Sequence, residues 1–541
     1  MSSSGSVTAG ASVADSRSKA SSGSAFSPFR HRAFALLWVA TLISNIGTWM
    51  HEVGAGWLMT TLNSSPAVVT LVQAATTLPV FLFALFAGAL ADRLDKRWML
   101  ITINVILTGV IACLALLVSL EQMTPPLLIA FTLLIGTGAA FMAPAWQAVV
   151  PQLVPRERLK PAIALNSMGI NISRAIGPAL AGILIVSAGL AAPFVLNALS
   201  HIVIVIALLL WKPERAPERK PTGSLLSEMR TGLRHVRHNG PMKATAIRAV
   251  AFFFFAAAYW SLLPLIARSA EGGGSELYGV LMALIGAGAV TGALMLPRLP
   301  AQITSDATVQ LGTLGTALAI LALAVSAMPL ALMAAAFLGG LSWIAVLTSF
   351  NISAQTALPN WVRARGLAVF LMVFFGSMSL GSVVWGQVAT LTSLQVALVA
   401  AAVGLVLGLL VTRGFPVGQA EGADLSAASH WPEAPALSQT QSDDRPAMVI
   451  VEYCVAPEQA EAFVVALHDF GRERRRDGAT QWFLHESVET PGTWIETFHL
   501  PSWAEHLEQH ERVTKDDAAA QETVRAFDTR AGGPVVRHYL G

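Results

Sequence analysis

The stretch Gly88-Ala89-Leu90-Ala91-Asp92-Arg93-Leu94-Asp95-Lys96-Arg97 separates two long apolar runs by a cluster of alternating charges. We interpret it as a short charged turn between two membrane-spanning helices. The small residues at its start let one helix end approach a neighbour closely, and Asp92 is placed to face the positive N-terminal end of another helix. Arg93, Lys96 and Arg97 predict that the turn lies on the cytoplasmic side of the membrane.

The spacing of this turn resembles the motif between the second and third helices of major facilitator superfamily transporters. That motif has a glycine, three residues, Asp-Arg, two residues and then paired basic residues. Asp95 stands where the family usually has glycine, so the turn is expected to be less tight. The alternative is a positively charged loop of any other multispan membrane protein.

Composition places the chain in the membrane class. Of its 541 residues, 54% are hydrophobic and only 13% are charged, and the mean hydropathy is +0.59, which is outside the range of soluble proteins. A net charge of +2 does not predict nucleic-acid binding. The two cysteines, Cys113 and Cys454, form no disulfide framework and no metal-ligand spacing, and we predict no cofactor and no metal site.

Twelve apolar runs are long enough to span a bilayer of roughly 30 Å. They predict an all-α membrane protein with six helices on each side of a polar central linker. The predicted spans are 34–60, 66–91, 98–120, 124–149, 161–188, 191–211, 244–267, 277–297, 307–328, 330–357, 364–391 and 394–412. The predicted domains are a disordered cytoplasmic tail (1–30), a first bundle (31–212), a central linker (213–243), a second bundle (244–413), a flexible linker (414–446) and a soluble domain (447–541).

The distribution of Lys and Arg predicts the orientation. Basic residues concentrate in the loops on the side of the N-terminus, whereas the opposite loops carry only Arg268. Both termini are therefore predicted to be cytoplasmic, in a multi-pass protein of the inner, or plasma, membrane.

The two six-helix runs share an internal repeat. A shift of 204 residues pairs Gly136 with Gly340, Gly177 with Gly381 and Gly182 with Gly386, and it also pairs Gly88 with Gly292 and Pro155 with Pro359. A single register without gaps predicts two homologous halves related by an axis along the membrane normal, which is the plan of the major facilitator fold.

Ionisable residues inside the spans are candidates for function because they are costly to bury in lipid. Arg174 lies too deep in the fifth span to reach the membrane surface. Glu52, beside His51 in the first span, is the acid best placed to be its partner and to bind and release a proton. A fixed salt bridge, or an interface position near the outer leaflet, is the alternative.

The segment containing Gly177, Pro178 and Gly182 is similar to the glycine-proline motif in the fifth helix of superfamily antiporters. Ser173 and Ala181 stand where that motif has glycine, so the match is partial. By resemblance the segment implies export in exchange for protons, at a seam where two halves move. A local packing kink is the alternative.

In the resembled fold the first, fourth, seventh and tenth helices line a central cavity. Here they offer aromatic and amide side chains and little charge, which suits a bulky, partly apolar organic molecule. Packing or contact with lipid is the alternative for each residue taken singly. The candidates are Asn45, Trp49, Phe141, Trp146, Gln147, Phe252 to Phe255, Tyr259, Trp260, Trp343 and Asn351.

The composition changes after Arg413. Residues 447–541 alternate as a strand, a helix, two strands, a polar helix over Ser502–Phe527 and a last strand. This β-α-β-β-α-β order is the ferredoxin-like plan, and it resembles the small dimeric domains of the antibiotic-biosynthesis monooxygenase type. Within it, Glu496, His506 and His510 are candidates for a ligand pocket, with a polar or dimer-facing helix as the alternative.

From residue 28 onward the chain resembles the bacterial transmembrane secretion effectors, which are allied to enterobactin and drug exporters. The resemblance implies a proton-coupled exporter of a small organic compound, either drug-like or siderophore-like. For residues 447–541, two alternatives remain open: an enzyme that acts on the cargo without a cofactor, and a dimerisation or sensing module.

Overall fold

The structure is a computed structural model that describes residues 26–212, 225–298, 300, 302–426, 428 and 442–541. Twelve helices in the described chain are long and apolar enough to cross a membrane, as the sequence predicts. The first bundle contains α1 (Arg32–Leu62), α2 (Pro66–Arg93), α3 (Lys96–Ser119), α4 (Pro125–Val149), α5 (Leu159–Ala188) and α6 (Ala192–Leu210). A polar helix, α7 (Leu225–His238), follows.

The second bundle begins with α8 (Gly240–Ser261), which α9 (Leu263–Ser269) extends into one span. It continues with α10 (Ser275–Met295), α11 (Ser305–Val325), α12 (Pro329–Thr356), α13 (Arg363–Leu391) and α14 (Leu394–Val411). We call the end of the bundles where α1 begins and α14 ends the terminal side, and the opposite end the far side.

The ends of the spans follow local capping chemistry. Pro66, Pro125 and Pro329 occupy first turns, where no backbone donor is needed. Within the charged turn, only Leu94 and Asp95 lie between α2 and α3. The Asp95 side chain caps α3 by accepting a hydrogen bond from the Trp98 amide at 2.9 Å. Asp95 has φ −61°, so this turn does not need the glycine that the family usually has.

Contacts between helices repeat in the two bundles. In the first bundle α5 packs on α1, and α2 packs on α4; in the second, α13 packs on α8, and α10 packs on α12. The glycines paired by the 204-residue shift occupy matching places. Gly136 lies against the Thr76 carbonyl of α2, and Gly340 lies against the Ile285 carbonyl of α10. The repeat therefore reflects two equivalent packing arrangements.

The two bundles meet along two related seams, α5 with α10 and α2 with α13. A Cβ on Gly182 would lie 3.0 Å from the Ser275 carbonyl oxygen, and one on Gly386 would lie 3.2 Å from the Ala67 Cα. These residues lie toward the far side. The small residues of the predicted glycine-proline segment thus bring the two bundles into close contact there.

The C-terminal domain is a four-stranded antiparallel sheet with strand order β2-β3-β1-β4. Its elements are β1 (Ala447–Cys454), α15 (Ala460–Arg476), β2 (Gln481–Glu486), β3 (Thr493–Leu500), α16 (Trp503–Arg512), α17 (Lys515–Arg525) and β4 (Val535–Leu540). Alternate residues of β1, from Ala447 to Tyr453, are buried and form a core with Phe463, Leu467 and Phe498.

Two predicted boundaries are wrong. The single helix expected over Ser502–Phe527 is broken, because Thr514 caps α17 in a capping box with Asp517 and so ends α16 at Arg512. The predicted disordered tail of residues 1–30 is ordered at its end: Ser27–Arg30 form a 3-10 turn, and the Phe29 ring packs 5.0 Å from that of Trp38. Residues 1–25 of that tail lie outside the described residues.

Candidate functional site

A chamber of about 320 Å³ lies between the two bundles, and its two walls differ in chemistry. The first bundle supplies the polar and ionisable side chains, and the second supplies most of the aromatic ones. The polar wall includes Thr48, His51, Glu52, Gln73, Arg174, Asn197 and His201. The aromatic wall includes Trp260, Tyr278, Trp343, Phe374 and Phe375. A ligand here would contact a polar surface on one side and an apolar surface on the other.

Glu52 and Arg174, predicted from the sequence to be partners, both line this chamber. The ion pairs within 4 Å among the described residues do not include this one. The Arg174 guanidinium instead stacks over the Trp49 ring at 5.2 Å, and its Nε is buried without a hydrogen-bond partner in the described protein. Both groups therefore face the chamber, where a ligand or proton can reach them.

The His51 side chain is 4% exposed, and neither ring nitrogen has a hydrogen-bond partner in the described protein. Its ring packs edge-on against Phe194 at 5.0 Å. Nearby on α6, His201 shares a 2.8 Å hydrogen bond with the Asn104 side chain of α3. Two imidazoles therefore extend the polar wall beyond Glu52.

The aromatic wall is held by contacts among rings of α8, α12 and α13. The Trp343 ring lies 5.2 Å from Trp260 and 6.2 Å from Phe374, in edge-on or tilted arrangements. Such pairs prefer offset or edge-on geometry and stabilise the wall beyond simple burial. Trp343, predicted from the sequence, is thus in the chamber lining.

Ten of the thirteen predicted lining residues do not line the chamber: Asn45, Phe141, Trp146, Gln147, Phe252 to Phe255, Tyr259 and Asn351. Tyr259 is fully buried inside the second bundle and donates to the Ala336 carbonyl at 3.0 Å. The Trp146 indole faces Asn166 at 3.3 Å, Gln147 is exposed, and Asn45 is partly buried on α1. Adjacent residues on a helix point in directions about 100° apart, so Trp260 reaches the chamber while Tyr259 does not.

The charged turn meets the rest of the first bundle through Arg97. Its Nε and Nη2 each donate at 2.8 Å, to the carbonyl oxygens of Leu208 and Leu209 at the end of α6. Lys96 begins α3, and Arg93 is exposed at the end of α2. The side chain of Asp92 lies outside the described residues. A Cβ on Gly88 would meet no described atom within 4 Å, but Ala91, three residues on, is 1% exposed and belongs to the core of the first bundle, so the end of α2 does pack closely there.

The chamber is closed on the far side by contacts between the bundles. The Ala67 amide donates to Thr390 Oγ1 at 2.9 Å, and the Arg268 guanidinium donates to the Thr60 carbonyl. Deeper in, the Trp57 and Tyr278 rings stack at 6.3 Å. Pro178 and Gly182 face Gly279 at the same end.

Several lining residues were not predicted. His201 is an ionisable group inside the sixth apolar run, so the rule that identified Arg174 also applies to it. Gln73 and Asn197 are amides in the second and sixth spans, which the expected cavity-lining helices do not include. Phe374 and Tyr278 carry no sequence signal that separates them from other packed aromatics.

Comparison with known proteins agrees with this geometry. The model of the family described as "Transmembrane secretion effector", a family of major facilitator transporters, matches residues 23–541. The chain belongs to this family.

Two curated relatives of this secretion effector are named for siderophores. The staphyloferrin A transporter of Staphylococcus aureus is 26% identical over 257 residues, which cover 47% of this chain and 64% of that protein. The enterobactin exporter EntS of Citrobacter koseri is 25% identical over 342 residues, covering 62% of this chain and 80% of that protein. The match to the first thus spans less than two thirds of its length.

Among solved structures, a bacterial homolog of the human lysosomal transporter Spinster, in an inward-facing and unoccupied conformation, matches with a TM-score of 0.57. It is 15% identical, and the match covers 72% of this chain and 98% of that one. At this identity the likeness shows the major facilitator fold of the secretion effector.

The C-terminal domain does not bring its three predicted pocket residues into one open site. Glu496 is fully buried and accepts hydrogen bonds from Trp482 Nε1 at 2.9 Å and from the Tyr453 hydroxyl at 3.1 Å. Arg474 pairs with it at 3.3 Å. Glu496 is therefore a satisfied core carboxylate, and this structure leaves it no room to bind a ligand.

His506 and His510 do come together, with their Nε2 atoms 3.3 Å apart. The His506 ring also lies 4.9 Å from His538 and 5.0 Å from Trp503. Burial, followed by the neighbouring His510 and His538, lowers the pKa of His506 to about 3, so it is neutral near pH 7. Within the described residues no group of three or more His, Cys, Asp or Glu side chains is arranged to hold a metal ion.

A buried acid makes the stability of this domain depend on pH. Burial, and next the Asp517 carboxylate, raise the pKa of Glu473 from 4.5 to about 8. The folded domain keeps a proton that the unfolded chain releases above pH 4.5, so this contribution to stability is lost as the pH rises toward 8. Glu473→Gln is therefore expected to stabilise the domain at pH 8.5 by about 2 kcal/mol and to have little effect at pH 4.5.

Hydrogen exchange of the β1 and β3 amides in the full chain measures this effect. Glu461→Gln, on the exposed face of the same helix, is the matched control and is expected to change little at either pH. Equal exchange in wild type and Glu473→Gln at pH 8.5 contradicts the assignment.

Proposed function

We propose that this secretion effector is a proton-coupled exporter of a small, partly apolar organic molecule. The observation that carries the proposal is the two-sided chamber, in which Glu52 and Arg174 face an aromatic wall that belongs to the other bundle. Because each wall belongs to a different bundle, a cargo bound to both is released when the bundles separate. This is the requirement for alternating access.

Proton coupling is assigned to Glu52. Among the lining residues that the structure describes, it is the single carboxylate, and His51 and His201 stand next to it on the polar wall. A cargo that donates a hydrogen bond to the Glu52 carboxylate needs its deprotonated form. If the empty carrier returns with Glu52 protonated, each cargo molecule leaves in exchange for a proton. The partial glycine-proline motif at the far-side seam supports exchange of this kind.

The proposed orientation places the terminal side in the cytoplasm of a cell whose inner membrane holds the protein. Exposed Arg93 and partly exposed Lys96 and Arg97 lie on that side, as positively charged cytoplasmic loops do. With the far side closed, we take this conformation as the inward-facing state. The export direction is supported by the likeness to the enterobactin exporter EntS.

The chemistry of the walls restricts the cargo. A polar end with hydrogen-bond donors fits Glu52 and the amides of Gln73 and Asn197, and an acceptor fits the Arg174 guanidinium. An aromatic or apolar body fits the rings of Trp260 and Trp343. Drug-like and siderophore-like molecules of modest size meet both requirements.

Transport into inverted membrane vesicles tests the proposal. A panel of fluorescent or radiolabelled siderophores and aromatic drugs is offered outside, with the vesicle interior made acidic. We expect at least one compound to accumulate and to leak out when the pH gradient is collapsed. No gradient-dependent accumulation across the panel contradicts the function.

For the C-terminal domain we propose self-association through the sheet face opposite its helices. Residues between the buried ones in each strand, such as Met448, Ile450 and Phe483, are only partly buried or are exposed, and Phe483 is 47% exposed. The same face carries Thr497 and Arg537 beside Ile450, so a second copy meets it through apolar and polar side chains together. Ile450→Asp is expected to convert the detergent-solubilised chain from dimer to monomer in sedimentation, and a monomeric wild type contradicts the proposal.

A further inference from the structure

The C-terminal domain is docked against the second bundle by specific side chains. The Arg512 guanidinium, only 7% exposed, lies over the Trp361 ring at 4.6 Å, and Trp361 is in the loop between α12 and α13. Arg512 also pairs with Glu505 at 2.8 Å. Cation–ring contacts are strongest where water is excluded, as it is here.

Helix α7 is held between the domain and the second bundle. Arg234 of α7 pairs with Glu505 at 2.8 Å on the domain side. On the bundle side, the fully buried His235 packs edge-on to Trp361 at 5.3 Å, and Gly232 faces the Arg365 side chain. Just after α7, Asn239 donates to the Ala357 carbonyl at 2.8 Å. Trp361 is therefore the common contact of α7 and the domain.

The described part of the linker that precedes the domain contacts both the second bundle and the domain. Arg248 of α8 pairs with Asp306 at 3.1 Å and donates to the Phe415 carbonyl at 3.1 Å. Further along, Lys515 of the domain pairs with Asp424 at 3.0 Å, and the Ala428 amide donates to the Val513 carbonyl at 2.9 Å. These described linker residues therefore add contacts between the second bundle and the domain.

Helix α7 also contacts α2 of the first bundle, next to its contacts with α13 and α8. It therefore lies at the terminal side of the α2–α13 seam. A Cβ on Gly88, near the end of α2, would meet no described atom within 4 Å, so there is space beside α2 at this position. Closing the chamber on the terminal side requires the ends of α2 and α13 to move relative to each other, and α7 contacts both helices.

We propose that the C-terminal domain is a brake on the transport cycle. Docked through Arg512, Glu505 and Trp361, it pins α7 between α2 and α13 and so holds the chamber open toward the terminal side. Release of the domain frees α7 and lets the two bundles close there. The effect on transport rests on the proposed function, but the effect on conformation does not.

Two variants break the same contact from opposite sides. Arg512→Ala changes the domain, whereas Trp361→Ala lies in the bundle and leaves the fold of the domain untouched. Arg525→Ala is the matched control, because its contact with Glu522 is 4.0 Å long and exposed. All are made in the full chain, with Cys113 and Cys454 replaced by serine.

Pulsed electron resonance distances between spin labels report the result. One pair, at Val488 and Gln310, follows the domain against the second bundle; the other, at Glu157 and Gln310, follows the terminal ends of the two bundles. We expect Arg512→Ala and Trp361→Ala each to broaden the first distance and to shift the second toward shorter values. Arg525→Ala is expected to match wild type.

Cargo efflux in the same variants is expected to rise roughly fivefold or more, the lower end of typical coupling between sites. A released domain with an unchanged distance between the bundles overturns the brake, and so does a domain that neither variant releases. If the distances shift as expected but neither wild type nor any variant transports cargo, the effect of the domain on conformation stands and the proposed transport function fails.

Discussion

Replacing Glu52 by glutamine is expected to reduce gradient-driven transport by roughly 10- to 100-fold, the range of a coupling free energy of a few kcal/mol. Glutamine keeps the size and hydrogen-bonding capacity of the protonated acid but cannot release a proton. The variant therefore mimics the state of the cycle in which Glu52 is protonated, and it cannot leave that state. Transport into inverted vesicles with an acidic interior measures the loss.

A control and a second readout accompany this measurement. Glu121→Gln, in the exposed far-side loop between α3 and α4, is expected to transport like wild type. Exchange of cargo for cargo without a pH gradient is expected to fall in Glu52→Gln as well, because the amide mimics the protonated form, which does not hold cargo. Full gradient-driven accumulation by Glu52→Gln removes this residue from the coupling mechanism.

Gly340→Leu is expected to prevent the second bundle from assembling. A Cβ at this position overlaps the carbonyl oxygen and Cα of Ile285, which are backbone atoms of α10 and cannot move aside alone. Overpacking of this kind costs about 3 kcal/mol or more when rigid helices must separate. We expect loss of the monodisperse peak in detergent chromatography and a lower unfolding temperature.

The chain offers a matched glycine for comparison. A Cβ on Gly109 of α3 meets no atom within 4 Å, so Gly109→Leu is expected to leave the elution profile and unfolding temperature near those of wild type. Equal behaviour of Gly340→Leu and Gly109→Leu contradicts the close α10–α12 packing. Gly136→Leu tests the repeat, since it is expected to behave like Gly340→Leu.

The spans and the repeat could be predicted because they follow from length and apolar composition, which lipid imposes on every helix. Glycines such as Gly136 and Gly340 made the repeat visible in the sequence, because backbone contact between helices requires small residues at fixed places. Glu52 and Arg174 could be singled out as candidate partners because an ionisable group in lipid needs a polar environment.

Other features depend on tertiary contacts that no local pattern contains. The face of α8 that points to the chamber decides between Tyr259 and Trp260, and both are aromatic residues in the same apolar run. His506 and His510 of the C-terminal domain suggested a pocket with Glu496, but that carboxylate accepts hydrogen bonds from Trp482 and Tyr453 and pairs with Arg474 in the core. The docking of Arg512 on Trp361 joins residues 151 positions apart.

Labelling of one chamber residue from each side of the membrane tests the central claim most directly. Thr76 lines the chamber, and Thr76→Cys in a chain without Cys113 and Cys454 gives a single thiol there. With a membrane-impermeant maleimide, we expect labelling from the cytoplasmic side at rest, and labelling from the outer side only while cargo and a proton gradient drive turnover. Simultaneous labelling from both sides, or labelling from one side under every condition, would show that the two bundles do not open the chamber alternately.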